Sequence, residues 1–273
     1  MRTILFIALS VALSVFSACS IQTAESYNPD AIHVASPGEI PAAPSDTKVR
    51  KPVLVELFTS EGCSSCPPAD RELTFLETQQ PVAGADVITL AFHVDYWDSS
   101  AWKDTLASAE FSARQENYTR ALRLDSNYTP QMVVDGTHEF VGSNSGQANE
   151  AISKSISQPK GTVNLGVAES ALKINIDQIP KHEAATVYLV AAEDRITTNV
   201  RGGENDGRSL AHTSVVRKLQ SIGPLSALES NYKTSVDLPT NVGWKKENLK
   251  YVVFVQEDAS KKILAVGRAS ATK

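Results

Sequence analysis

Two cysteines three positions apart, Cys63 and Cys66, are the side chains of this sequence best suited to chemistry. They lie in ELFTSEGCSSCPPADRELTFLE, after an apolar run of strand length, Val53 to Phe58. Beyond them Ala69, Leu73 and Leu76 recur at helical spacing, which turns Asp70, Arg71 and Glu72 outward. Pro67 and Pro68 suit a first helical turn, where amide donors lack intrahelical partners anyway, so the helix is predicted to start beside the cysteines. A helix N-terminus carries partial positive charge and stabilises a thiolate. The predicted chemistry is thiol–disulfide exchange from sulfurs exposed at the strand-to-helix junction, Cys63 attacking and Cys66 resolving. Two other uses of the pair stay open. One is a structural disulfide, although so short a loop confers little entropic stabilisation. The other is a metal site: zinc wants four ligands, and copper would take both thiolates with His93 as third ligand.

His93 ends a second apolar strand, Val87 to Val94, and Asp95 two residues on shares its face. With Tyr96 and Trp97 these residues either form a pocket around the cysteines or simply cap the strand. A second polar concentration is RGGENDGRSLAH, Arg201 to His212, with Arg201, Glu204, Asn205, Arg208 and His212 in a glycine-rich stretch. It reads either as a binding loop closing over the cysteine site or as a solvated hairpin. Its Gly-Gly has no nucleotide-binding spacing.

The chain has 273 residues, enough for two domains, and a net charge of −5 with no basic run, which excludes a nucleic-acid partner. Arg2 followed by the apolar segment Ile4 to Ala18 has the form of an export signal, shorter than a bilayer span. Two processing routes fit. Ala18-Cys19 resembles a lipoprotein cleavage site, with lipidation of Cys19; cleavage after Ser20 follows the small-x-small rule. Either route leaves Cys63 and Cys66 as the only thiols of an exported, cell-envelope or periplasmic protein, so disulfides are not its general framework. The membrane enters only through that anchor. Residues 20–49, with Pro29, Pro37, Pro41 and Pro44 and no periodicity, are predicted to form a disordered tether after a signal peptide at 1–19.

From residue 50 to 158 the expected order is strand, helix, strand, helix, a hairpin and a last helix. Ser108 caps the second helix, whose Phe111, Tyr118 and Leu122 share a face. Asp135-Gly136 turns the hairpin between Gln131–Val134 and Glu139–Val141. This order, with C-x-x-C at the first helix and Thr129-Pro130 before the third strand, resembles the thioredoxin fold, and TPQMVVDG…FVG is similar to the corresponding segment of glutaredoxins. The resemblance implies a cis Pro130 beside the cysteines, Thr129 offering its backbone to an extended substrate, and Tyr128 and Trp97 lining the groove. Glu56 and Glu61, with His93 and Asp95, are the candidate modulators; Glu56 sits one residue away from the buried acid of thioredoxins. ELFTSEGCSSCPPAD with FHVDYWD also resembles a bacterial family of secreted, two-domain thioredoxin-like proteins of unknown function. The implied partners are a protein or small-thiol substrate and a redox-recycling partner, with no cofactor beyond the disulfide; copper is the alternative.

After Thr162 the texture changes to short strands with turn residues between them: Val163–Val167, Leu172–Ile176, Val187–Ala192, Ser214–Leu219, Thr234–Leu238, Tyr251–Glu257 and Ile263–Ala269. The expected architecture is therefore an α/β thioredoxin-like domain, a central mixed sheet flanked by helices, followed by an all-β sandwich over residues 160–273.

Overall fold

The computed structural model describes residues 50–271. The expected signal peptide, tether and Cys19 lie outside them. Strand β1 (Lys51–Thr59) is buried on both faces from Val53 onward, as its mostly apolar run requires, with Glu56 the one charged residue in it. It lies between β2 (Ala85–His93), parallel to it, and β3 (Gln131–Val134), antiparallel. Helix α1 (Pro67–Gln79) links β1 to β2 and ends at Gln80, whose backbone is left-handed at φ 50° and whose N–H closes on Leu76 O. Helix α2 (Ala109–Leu122) starts at Ser108, whose hydroxyl accepts the Glu110 amide. Strand β3 turns into β4 (His138–Val141) through Asp135 at φ 48° and Gly136 at φ 73°. Gly136 is required twice over: the tight hairpin needs positive φ, and a Cβ there would collide with the Lys261 carbonyl. Helix α3 (Ser145–Ser155) is capped by Asn144, which accepts the Gln147 amide.

The second half overturns the expected architecture. The described residues form thirteen strands and three α-helices, 41% strand against 21% helix. The largest sheet has eight strands and runs through both halves of the chain, in the order β13-β12-β7-β10-β2-β1-β3-β4. Its added members are β7 (Ala185–Glu193), β10 (Val215–Leu225), β12 (Leu249–Glu257) and β13 (Ile263–Ser270). The seam is β10 on β2: Val215 faces Ala91 in parallel register, and Ala91 N donates to Ser214 O at 2.8 Å. A helix-flanked thioredoxin-like fold with a separate sandwich behind it is thus corrected to one mixed sheet. The physical reason lies in β12, every residue of which but the last is buried; its apolar run Tyr251–Val255 demands cover on both faces. The remaining strands β5 (Thr162–Val167), β6 (Ala171–Asp177) and β11 (Tyr232–Asp237) alternate in burial and form a three-stranded sheet. Strands β8 (Ile196–Asn199) and β9 (Ser209–His212) pair into a ribbon bearing the glycine-rich loop.

Three cores follow. Val53, Val55 and Leu57 of β1 pack against α1 and α3. Leu54 and Phe58, on the other face, join Phe111 and Tyr118 of α2 and, without a break, Val190, Val252 and Phe254 of the second half. Leu172, Ile174 and Ile176 cover Val187, Leu189, Val253 and Val255. Among the described residues no helix is long and apolar enough to cross a membrane.

Candidate functional site

Cys63 and Cys66 are joined by a disulfide, with Cα atoms 5.4 Å apart. The turn is fixed locally: Cys63 N donates to Ser60 O and Cys66 N to Cys63 O, each at 3.2 Å. Cys66 is the N-cap of α1, its carbonyl accepting from Ala69 N and Asp70 N. The expected exposure of the sulfurs is corrected, for both cysteines are 0% exposed, while Ser64 and Ser65 between them face solvent. Cys63 Sγ lies 3.3 Å from the hydroxyl of the solvent-facing Ser65. Neither cysteine belongs to any of the three apolar cores.

Their cover includes the glycine-rich loop. The Asn205 amide, itself fully buried, donates to Glu61 O at 2.8 Å and to Cys63 O at 2.9 Å. Arg208 holds the Asn205 side-chain oxygen at 2.9 Å, and the Glu204 carboxylate accepts Ser64 N at 2.9 Å. Hydrogen bonding to Ser64 lowers the Glu204 pKa. Gly202 permits the close approach, since a Cβ there would strike the Ala101 carbonyl. Arg201 stays exposed. The stretch is the largely exposed loop of the β8–β9 hairpin, and Glu204 and Asn205 join it to the cysteine turn.

Trp97 lies against Gly62, a Cβ on which would meet it at 3.2 Å, and its indole N–H donates to Thr129 Oγ1 at 2.7 Å. The Thr129–Pro130 peptide is cis, and Pro130 is buried against Gly142 beside Leu57 and Ala69. Tyr128 donates to Glu139 at 2.6 Å; burial, first, and that carboxylate raise its pKa. Asp95 does not join the cysteines: it accepts the Ser112 hydroxyl at 2.5 Å and braces α2, the strand-capping alternative. Tyr96 donates to Gln115 at 3.0 Å, and burial raises it to about 12. Glu56 is on the opposite face of β1 from α1, bound to Arg114 at 2.7 Å and to the Tyr118 hydroxyl.

A buried polar cluster adjoins the disulfide turn. His93 Nδ1 meets Asp104 Oδ2 at 2.7 Å, and the same oxygen accepts Glu61 N at 3.0 Å. Glu61 Oε2 accepts the Trp102 indole at 3.2 Å. His212, delivered by β9, places Nε2 3.3 Å from Glu61 Oε1 and its ring 4.8 Å from that of His93, edge to face. Asp70 accepts the Thr59 hydroxyl at 2.9 Å. Burial raises the Asp70 pKa, partly offset by His212 and His93. Burial opposes charge on His93, but Asp104, Asp70 and Glu61 outweigh it and raise its pKa. Burial likewise opposes charge on Asp104, which His93 and two backbone amides overcome, lowering its pKa. Glu61 Oε1, His93 Nε2 and both His212 ring nitrogens are buried without a well-aligned hydrogen bond, although Glu61 Oε1 and His212 Nε2 face each other.

Sequence reasoning missed Asp70 and Asp104. Asp70 was assigned outward, yet it is 8% exposed. Its position four residues after Cys66 was the available signal, because i and i+4 share a helical face. The copper set of Cys63, Cys66 and His93 is not assembled: the sulfurs are bonded to each other and His93 is held by Asp104. Among the described residues, no group of three or more His, Cys, Asp or Glu is arranged to hold a metal ion.

The chain is similar to an Agrobacterium tumefaciens protein of known crystal structure, at 28% identity and TM-score 0.65, over 81% of this chain and 95% of that one. It also matches a domain of the outer membrane lipoprotein Omp28 from Porphyromonas gingivalis, at 14% identity and TM-score 0.26 over 41% and 88%, a likeness too low to carry argument. No curated protein matches the sequence. Residues 54–256 match the family described as "Protein of unknown function (DUF1223)", a span holding the cysteine turn, the cluster and the covering loop, and the chain therefore belongs to the DUF1223 family.

Proposed function

We propose that this protein is an exported thiol–disulfide oxidoreductase acting through Cys63 and Cys66, behind a polar lid formed by Gly202 to Arg208. The observation that carries the reading is a disulfide between two neighbouring cysteines at the start of α1, outside the three apolar cores, with a polar loop hydrogen-bonded to the backbone of its turn. A three-residue loop contributes little as a staple, so its retention points to reactivity. A substrate thiolate attacks Cys63, whose sulfur lies beside the solvent-facing Ser65. The electron pair leaves on Cys66, where the helix N-terminus favours negative charge and a good leaving group. The local resemblance of the C-x-x-C and Thr-Pro segments to thioredoxin-like proteins supports the chemistry of the site, with Thr129, Pro130 and Trp97 as the neighbouring substrate surface. The substrates are small or protein thiols of an oxidising compartment, reached through the N-terminal leader, with a separate partner restoring the redox state of the pair. No dissociable cofactor is needed.

The test is the rate of exchange with a small-molecule disulfide, measured on the reduced protein and on Cys63→Ser. Loss of exchange in the variant is expected. Equal rates would remove the enzyme reading and leave a structural bridge.

A further inference from the structure

The three-stranded sheet closes its core against the larger sheet, but the cover is incomplete at the end where β5, β11 and β13 finish and β12 begins. Leu165, Val167, Leu238 and Ala271 pack on that core and yet stay half-buried. With Tyr251 of β12 and Ala269 of β13 they line a groove of about 820 Å³, a size that takes a small-molecule ligand. Apolar walls left open to water cost free energy that an apolar occupant restores. No residue of the cysteine turn lines this groove.

The loop bordering the groove is a second, independent observation. It joins β11 to β12, and its Thr240 and Lys246 belong to the groove wall. Asn241 folds its tip into a tight turn: the side-chain oxygen accepts Gly243 N at 3.0 Å and the carbonyl accepts Trp244 N at 3.1 Å. That turn leaves Val242 wholly in solvent. Trp244 packs half-buried on the same core, with the Arg217 guanidinium 5.8 Å from its ring centre. Lys245 and Lys246 follow, both exposed. An apolar tip, a half-buried indole and adjacent lysines suit a bilayer surface. The valine enters the acyl layer, the indole sits at the interface and the ammonium groups meet phosphates.

We infer that this end of the second half docks on a phospholipid bilayer and draws one acyl chain into the groove. The exposed apolar area, one valine and an open groove, is small for a protein partner and sufficient for a lipid chain. The lip selects the headgroup. Lys246 lines the groove from the loop and Glu169 from the β5–β6 turn, and Glu247 follows Lys246 in the chain. Cations and carboxylates together complement a zwitterionic headgroup, the phosphate on lysine and the ammonium on glutamate, better than a purely anionic one. The occupant is therefore a phospholipid of the phosphatidylethanolamine class.

Two probes test the inference on the full chain, with Cys19→Ser throughout so that no lipid anchor contributes. Of the three tryptophans, Trp97 and Trp102 lie at the cysteine turn, so Trp244 reports on the groove. Monomeric dihexanoyl phosphatidylethanolamine should change the Trp244 fluorescence, and Ala269→Phe, which fills the groove, should weaken that binding about tenfold. Vesicles of phosphatidylethanolamine and phosphatidylcholine with brominated acyl chains should quench the wild type and spare Trp244→Phe. Val242→Asp should raise the lipid concentration for half-quenching about tenfold, while the rate at which glutathione opens the disulfide stays at the wild-type value. An unquenched wild type, equal quenching in Trp244→Phe, or a Val242→Asp curve that overlies wild type overturns the docking. Quenching by phosphatidylglycerol vesicles alone overturns the zwitterionic assignment. A dimer in sedimentation that Val242→Asp abolishes, without quenching by any vesicle, gives the surface to a second copy and overturns the lipid. Should Ala269→Phe fail to fold, the exposed Val242→Asp decides.

Discussion

Two buried charge clusters adjoin β1, and they are built to opposite specifications. On the α2 side Arg114 binds Glu56 at 2.7 Å, Tyr118 at 3.2 Å and Gln256 at 3.3 Å. Its guanidinium lies within 5.6 Å of the ring centres of Phe92, Tyr118, Tyr188 and Phe254. Burial opposes the Arg114 charge, but Glu56 and its neighbours more than compensate and raise its pKa. Every polar atom of this cluster has a partner. At the other end of β1, the cluster of Glu61, Asp70, His93, Asp104 and His212 leaves four polar atoms without a well-aligned hydrogen bond, two of them facing each other at 3.3 Å. The first arrangement spends its charges on holding α2 and β12 to the sheet. The second leaves polar atoms poorly bonded and holds the Asp70 carboxyl above its ordinary pKa by burial, an arrangement that contributes less to stability than the first.

The largest expected effect breaks the satisfied cluster. Arg114→Met leaves Glu56 charged and buried, and should cost about 3–5 kcal/mol in urea unfolding. A loss no greater than that of Asp70→Asn would erase the contrast between the clusters. Next comes the lid. Asn205→Ala removes two buried hydrogen bonds worth about 1 kcal/mol each, so opening of the disulfide by glutathione should accelerate about thirtyfold. No acceleration would mean that the loop does not limit access.

The third prediction uses pH. Asp104, with its depressed pKa, contributes stability that is present above its ordinary 3.8 and lost as pH falls through the lower folded value. His93, raised by Asp104, contributes stability present below its ordinary 6.5 and lost as pH rises through the higher folded value. The pair therefore stabilises most between those ordinary values. Asp70 runs the other way, its raised pKa costing stability as pH climbs above 3.8. Urea midpoints of wild type should fall toward those of His93→Gln as pH rises past neutrality, and a constant gap would contradict the pairing. The smallest effect is expected of Glu204→Gln. Its contact with Ser64 is solvent-exposed, and the opening rate should stay within about a factor of two of wild type.

Much of the site was legible in single segments. The C-x-x-C turn, the helix start at Pro67, the Ser108 cap and the hairpin at Asp135-Gly136 are local features set by one stretch of chain each. Asp70 was legible too, had the i+4 relation to Cys66 been weighed above the outward face shared with Arg71 and Glu72. The partition of the strands was not. Strand β10 joins β2 through a single parallel register pair, and nothing in Val215 or Ala91 announces the other across more than a hundred residues of chain.

Composition and spacing by themselves determined the closely spaced cysteine pair, most of the secondary structure and the unusual polarity of Arg201 to His212, because each depends on neighbours along the chain. Only the tertiary structure decided that the cysteines are buried, that Asn205 binds the backbone of their turn, and that His212 meets His93 and Glu61. Those contacts join segments more than a hundred residues apart. They form because the second half extends the first half's sheet and brings the β8–β9 ribbon to the cysteine turn.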